Sequence, residues 1–187
     1  MRVIAGTARG RRLKSPSARP RERGHNAVRP SSDLIRGAIF SALQSLGVRL
    51  TSVLDLYAGS GALGIEALSR GAESCDFIER DRAACAVIRE NLRLTGFDER
   101  ARVHCLSAEQ ATARLEGVFS LVLADPPYAD SNAASVLAAV SASSLVEPGN
   151  TIIVLEHSAR AEPAAALGPF ALANSRRHGD SAVSIYR

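Results

Sequence analysis

The tetrapeptide Asp125-Pro126-Pro127-Tyr128 follows directly on the apolar run Leu121-Val122-Leu123-Ala124. Two consecutive prolines fix the backbone and withdraw two N–H donors. What remains is a carboxylate, rigid carbonyl acceptors and an aromatic ring. That set suits one chemical problem, the exocyclic amine of a nucleobase, which is a poor nucleophile because its lone pair is delocalised into the ring. Accepting both N–H bonds, through the Asp125 side chain and the Pro126 carbonyl, favours a more tetrahedral nitrogen whose lone pair can attack an electrophilic methyl carbon. Catalysis of that kind is mainly positioning and electrostatics. Tyr128 can stack on the extruded base. Asp125, Pro126, Pro127 and Tyr128 are therefore the candidate catalytic set.

A second constellation lies upstream, in Asp55-Leu56-Tyr57-Ala58-Gly59-Ser60-Gly61-Ala62-Leu63-Gly64. Glycines in a strand-to-helix turn allow it to be tight and let a ligand approach the backbone. Gly59, Gly61 and Gly64 also satisfy the G-x-G-x-x-G dinucleotide fingerprint, so the loop alone leaves the ligand open. Asp55 shifts the balance. A carboxylate expected at the mouth of the loop compensates the sulfonium and ammonium charges of S-adenosylmethionine and repels a pyrophosphate. Fifteen residues beyond Gly64 comes Glu79, at the end of the next expected strand, where a carboxylate can accept both ribose hydroxyls of an adenosine.

These residues need a sheet to carry them. Apolar and β-rich runs predict strands at 52–57, 74–79, 102–106, 119–124 and 150–155, with helices over 62–70, 82–94, 108–115 and 131–142. Val53-Leu54 and Leu121-Val122-Leu123 are continuous rather than alternating, as strands covered on both faces should be. Strands separated by helices imply right-handed crossovers and a parallel sheet with helices on both faces. Ligands then bind beyond the carboxyl ends of the strands, so the glycine loop and Asp125 should share one crevice. Residues 170–173 and 182–186 predict a final antiparallel pair. Ahead of this body, Ile35, Ala38, Ile39, Ala42, Leu43 and Leu46 share one helical face. Ser31, Ser32 and Asp33 stand at the expected N-cap and Gly47 at the C-cap. The fold class expected is α/β and Rossmann-like, with a basic extension over 1–30 and a single domain over 31–187.

The formal net charge is only +4, but it is unevenly spread. Residues 1–36 carry ten basic side chains against Glu22 and Asp33, which leaves the rest of the chain net acidic at −4. A basic arm on an acidic body suggests contact with a polyanion. Arg2, Arg9, Arg11, Arg12, Lys14 and Arg29 are the candidate RNA contacts. Residues 2–5 and the stretch around Leu13 predict short strands flanking a turn, and 15–30, rich in Pro, Ser, Arg and Gly, predict a mobile loop. Cys75, Cys85 and Cys105 lack the paired spacing of a zinc site or disulfide framework and read as buried small apolar residues, so no metal is expected. No apolar run approaches the ~20 residues that cross a bilayer, and the start of the chain lacks a signal-peptide pattern, which predicts a cytoplasmic protein.

Taken together, these motifs resemble the RsmD family, bacterial guanine-N2 methyltransferases of small-subunit ribosomal RNA. The resemblance runs through Arg2-Val3-Ile4-Ala5-Gly6, Arg9-Gly10-Arg11-Arg12-Leu13, Arg29-Pro30-Ser31-Ser32-Asp33, Asp55 to Leu68, and Asp125 to Tyr128. It implies a class I methyltransferase sheet and a guanine in 16S rRNA as substrate, with an assembling small subunit as the setting. S-adenosylmethionine would be the methyl donor and S-adenosylhomocysteine the product. It also implies a cofactor site lined by Asp55, Tyr57, Gly59, Ser60, Gly61 and Glu79, with Ser107 and Ala108 beside the adenine. Three positions depart from the family pattern. Ser31 and Ser32 replace two threonines, Gly37 replaces a glutamate, and Ser107 stands where the family often has Asn or Asp to read the adenine amino group. From the residues alone other readings stay open. Asp-Pro-Pro-Tyr also serves adenine-N6 and cytosine-N4 methyltransferases acting on DNA or RNA. A nucleic-acid-binding module with a vestigial fold is a further reading, against which the joint presence of Asp55, Glu79 and Asp125 argues. A nicotinamide-dependent oxidoreductase leaves the Asp-Pro-Pro-Tyr motif without a role.

Overall fold

Continuous apolar runs form the centre of the sheet, as strands buried on both faces require. In the computed structural model, which describes residues 1–16, 30–128 and 130–187 and gives only the backbone at 30–32, five strands run parallel. They are β1 (Ser52–Asp55), β2 (Ser74–Ile78), β3 (Ala101–His104), β4 (Leu121–Ala124) and β5 (Ile152–Ser158). Three antiparallel strands, β6 (Ala166–Leu167), β7 (Phe170–His178) and β8 (Ser181–Tyr186), complete the order β3-β2-β1-β4-β5-β8-β7-β6. The strand order reverses between β1 and β4, which makes their carboxyl ends the natural ligand crevice.

Helices cover both faces. Ile35, Ile39 and Leu43 of α1 (Pro30–Ser45), Ile65 and Leu68 of α2 (Ala62–Ser69), and Ile88 and Leu92 of α3 (Arg82–Thr95) pack on one side against Val53, Phe77, Leu121, Leu123 and Val154. On the other side Ala111 of α4 (Ala111–Arg114) and Val136, Leu137 and Val140 of α5 (Ala133–Ser141) pack against Leu54, Val122 and Ile153. The α/β Rossmann-like architecture expected from the sequence is the one observed. Several boundaries move. The expected 108–115 helix is a 3₁₀ turn (Ala108–Gln110) followed by α4, and β7 extends to His178 through polar residues that carry no strand signature. Helix α1 begins at Pro30, so Ser31, Ser32 and Asp33 lie inside its first turn rather than at its cap. Gly47 does close it, with Gly47 N–H on the Gln44 carbonyl and Val48 N–H on that of Leu43.

The basic arm is docked on the body. Arg2 and Arg12 form a single antiparallel bridge, where two short strands were expected. Val3 and Ala8 between them, and Leu13 just beyond, are buried in the same core cluster as α1, α2 and α3. Gly6 (φ +81) lies against α2 so closely that a Cβ there would sit 1.8 Å from the Ser69 carbonyl oxygen. Ser69 accepts Thr7 N–H through its carbonyl and Ala8 N–H through its hydroxyl. The fully buried Glu66 accepts Ile4 N–H (2.8 Å), Ala5 N–H (3.0 Å) and Arg70 Nε (2.8 Å). Arg36 of α1, also buried, lies 3.6 Å from the same carboxylate and donates to the Arg2 carbonyl. This network ties arm, α1 and α2 together. The side chains of Arg2, Arg9, Arg11, Arg12 and Lys14 remain exposed. Arg29 and most of the expected 15–30 loop lie outside the described residues. Of the three cysteines, Cys75 and Cys85 are buried as expected, whereas Cys105, just past the edge strand β3, is exposed.

Candidate active site

The glycine loop is held from beneath by carboxylates. Asp55, last residue of β1 and completely buried, accepts Gly64 N–H at 2.9 Å, which anchors the first turn of α2. Its place is under the loop rather than at the mouth, because the orphan amides of a helix start draw it inward. Its other oxygen, Oδ1, is buried without a hydrogen-bond partner among the described residues. Burial pushes its pKa up to about 7, the Gly64 amide opposes that, and Glu79 adds to it. Gly64 is required by close approach, since a Cβ there would lie 2.3 Å from the Phe77 ring of β2. Glu79, one residue beyond β2, spans two amides with Oε2 on Gly59 N–H (2.9 Å) and Oε1 on Asp81 N–H (2.8 Å). From α3 the buried Asn91 donates to the Ser60 carbonyl and to that of Lys14, so one amide group joins the loop to the arm.

Strand alternation brings a row of acids to one face. Val53, Leu121, Leu123 and Val154 belong to the α1–α3 side of the sheet. With a period of two, Asp55, Asp125 and Glu156 point to that same side at the carboxyl ends of β1, β4 and β5. The registers Asp55↔Leu123 and Ala124↔Leu155 set Asp125 and Glu156 side by side. Solvent reaches Asp125 on one side. The crowding walls of the crevice nevertheless raise its pKa well above the usual carboxylate range, and the charges of Glu156 and Asp55 raise it further.

A cavity of about 150 Å3 opens over this row, lined by Met1, Arg36, Tyr57, Ala58, Gly59, Ser60, Ala62, Leu63, Asp125 and Glu156. It therefore unites the glycine loop and the Asp-Pro-Pro-Tyr motif in one crevice. Met1, Arg36 and Glu156 are additions that the sequence reading did not include. Glu156 carried a usable signal, an acid closing an apolar strand run as Asp55 and Asp125 do. Arg36 is a lone cation inside the apolar stripe of α1, which reads as a surface residue until its carboxylate partner is known. The Tyr57 hydroxyl is buried without a hydrogen-bond partner among the described residues, and burial, with Asp130 and Glu109 nearby, pushes its pKa up to about 12.

Other candidates are placed differently. Tyr128 has half its surface exposed, and its hydroxyl hydrogen-bonds the Ser181 hydroxyl at the start of β8. The ring is thus anchored to the β7–β8 hairpin, and the hydroxyl has a structural task that the stacking role did not anticipate. Ser107 and Ala108 are not among the cavity's lining residues. Ser107 opens the 3₁₀ turn with its N–H on Gln110 Oε1 (3.1 Å), while Ala108 is buried. In the arm, Lys14 pairs with Glu90, and Arg11 donates to the Leu94 carbonyl, so these two cations are partly committed within the chain. Among the described residues no three His, Cys, Asp or Glu side chains are grouped as a metal site, and no helix is long and apolar enough to cross a membrane.

The family model described as "Conserved hypothetical protein 95" matches residues 1–187. YlbH of Bacillus subtilis, provisionally named an rRNA methyltransferase, is 33% identical over 192 residues, covering 100% of this chain and 98% of that protein. The ribosomal RNA small subunit methyltransferase D of Escherichia coli K12 is 36% identical over 128 residues, 68% of this chain and 60% of its own. Among solved structures, the Escherichia coli protein yhhF, provisionally assigned as a methyltransferase, superposes with a TM-score of 0.82 at 28% identity, covering 100% of this chain and 96% of that one.

Proposed function

The chain belongs to the RsmD family, whose conserved hypothetical protein 95 model spans all of it, and from that premise we propose that it methylates the N2 amine of a guanine in small-subunit (16S) ribosomal RNA, using S-adenosylmethionine. The observation that carries this reading is the cavity in which Asp125 faces the glycine loop. The residues fit that cofactor. A Cβ on Gly59 would meet nothing nearer than the Tyr57 carbonyl oxygen at 4.0 Å, Glu79 holds the Gly59 amide, and the buried Asp55 Oδ1 and Tyr57 hydroxyl still have hydrogen-bonding capacity. The acids held at the glycine loop, Asp55 and Glu79, favour a cation over a pyrophosphate. S-adenosylmethionine supplies a methyl group made electrophilic by its sulfonium. Ser107 and Ala108 would flank its adenine.

The chain's own residues orient the nucleophile. Asp125 and the Pro126 carbonyl accept the N–H bonds of the guanine amine, Pro127 keeps the backbone rigid, and Tyr128 offers its ring as a stacking surface. Because its pKa is raised, Asp125 is also suited to receive the proton the amine sheds after methyl transfer. The cations Arg2, Arg9, Arg11, Arg12, Lys14 and Arg29 meet the RNA backbone, so that 1–30 acts as an RNA-binding extension of the 31–187 domain in the cytoplasm. The test is mass spectrometry of nucleosides from rRNA of cells with and without the gene, repeated with the purified protein, the cofactor and RNA from the deleted strain. N2-methylguanosine should be missing in the deleted strain and restored in vitro. Finding N6-methyladenosine or N4-methylcytidine in its place overturns the reading.

A further inference from the structure

Resting on the guanine reading above, we propose that Glu156 selects the base by accepting the guanine N1–H beside the amine that Asp125 holds. Ala124 pairs with Leu155 in parallel register, so the next residues, Asp125 just past β4 and Glu156 within β5, come side by side and both line the cavity. Two acceptors side by side can take two donors side by side. Of the bases that carry an exocyclic amine, guanine alone places a ring N–H next to it. Adenine presents the N1 lone pair beside its N6 amine, and cytosine the N3 lone pair beside its N4 amine.

A carboxylate facing either lone pair would meet like partial charge, so the second acid disfavours those bases as well as attracting guanine. A lone acid after β4 serves any exocyclic amine; the acid beside it in β5 makes the site selective. The repulsion between the two carboxylates, which contributes to the raised pKa of Asp125, is relieved when a two-donor edge enters between them. Buried Arg36, paired with Asp33 and Glu66, also lines the cavity.

The test uses the full-length protein and RNA carrying 2-aminopurine at the mapped methylation position. This base keeps the 2-amine but replaces N1–H by a lone pair. The wild-type protein should prefer guanine to 2-aminopurine by about 10- to 100-fold in kcat/KM. In Glu156→Gln the side-chain amide can turn its NH2 towards the N1 lone pair, so guanine should lose activity, 2-aminopurine should gain, and the preference should shrink at least about tenfold. S-adenosylmethionine affinity and Tm, measured on the same variant, should stay near wild type. A variant that loses activity on both bases by the same factor assigns Glu156 a structural role and overturns the proposal, as does a wild-type protein indifferent to the two bases. If the wild-type protein methylates no guanine at all, the proposed function itself has failed, and this inference falls with it.

Discussion

The acids on the two sides of the crevice live under opposite conditions. On the glycine-loop side, Asp55 and Glu79 already accept backbone amides, three in all, from Gly64, Gly59 and Asp81. On the β4 side, Asp125 accepts no hydrogen bond among the described residues and is open to solvent. Carboxylates bonded to amides are fixed in place and contribute to the fold, whereas an acceptor left open contributes only when a substrate arrives. Under the proposed function, the difference separates a preassembled cofactor cradle from a base-binding wall that is completed by the base.

The largest effect should come from Asp125→Ala. By the scale of other preorganised hydrogen-bonding groups, kcat should fall by about 10²- to 10³-fold, with S-adenosylmethionine affinity and Tm nearly unchanged. The amine is held most strongly as it pyramidalises, so the loss should appear in kcat and kcat/KM together. The pH profile adds a sign. Activity needs the carboxylate, and because its pKa is raised, wild-type activity should climb with pH above the range where ordinary carboxylates have finished titrating. Asp125→Asn keeps an acceptor oxygen and should flatten that limb. A large loss of Tm in Asp125→Ala would collapse the contrast.

On the cradle side the order of effects reverses. Glu79→Ala leaves the Gly59 and Asp81 amides without their acceptor and should cost about 1–3 kcal/mol of stability, roughly 2–10 °C in Tm for a chain of this size. Cofactor affinity, measured by calorimetry, should fall by about tenfold or more, from loss of the ribose contacts and of the loop's shape. Unaltered stability with weakened binding would mean that Glu79 serves the ligand alone.

This contrast was only half legible in the sequence. The glycine spacing, Glu79 at a strand end and Asp125 after an apolar run are local patterns, and local patterns survive into the structure because parallel βαβ units place every strand's carboxyl end on one side. What the sequence hides is non-local. Asp55 reads as an acid near a ligand, and only the direction of α2 turns it under the loop. Arg36 and Glu66 are charged residues in helices and read as surface until the arm brings Ile4 and Ala5 onto the carboxylate. Val3, Ala8 and Leu13 are buried at spacings that match no helix or strand period, so a docked arm is indistinguishable from a solvated tail. The last five residues of β7, Asn174 to His178, are polar, and pairing with β8 makes them a strand where intrinsic pattern does not.

The docked arm repeats the contrast on a smaller scale. Lys14 and Arg11 have partners within the chain, while the side chains of Arg9 and Arg12 are exposed and make no hydrogen bond among the described residues. Removing residues 1–14 is a poor test of RNA binding, because it would also strip the partners of Glu66 and Asn91 and uncover the core beneath Val3 and Leu13. Arg9→Ala with Arg12→Ala is cleaner. The double variant should lose up to about two phosphate contacts, with a salt slope for RNA binding flatter by roughly 1–2 and unchanged cofactor affinity. Lys14→Ala should change the slope less. Equal changes would mean that the Glu90 pair opens on binding.

The smallest effect tests the rim of the base-binding wall. Tyr128→Ala removes a stacking surface from ground state and transition state alike, so most of its cost, about 1–3 kcal/mol, should appear in KM. If stacking were the whole of its role, Tyr128→Phe would be silent. The hydroxyl bonded to Ser181 argues otherwise, because it fixes a half-exposed ring against the β7–β8 hairpin and lowers the cost of ordering it when the base arrives. Losing that bond should raise KM by a few-fold, about 0.5–1 kcal/mol, and leave kcat alone. Ser181→Ala should do the same, and the double variant should be no worse than either single one, since both remove one interaction. Additive losses would show that the two hydroxyls act separately, and a fall in kcat for Tyr128→Phe would move the tyrosine from the rim of the site to the reacting nitrogen.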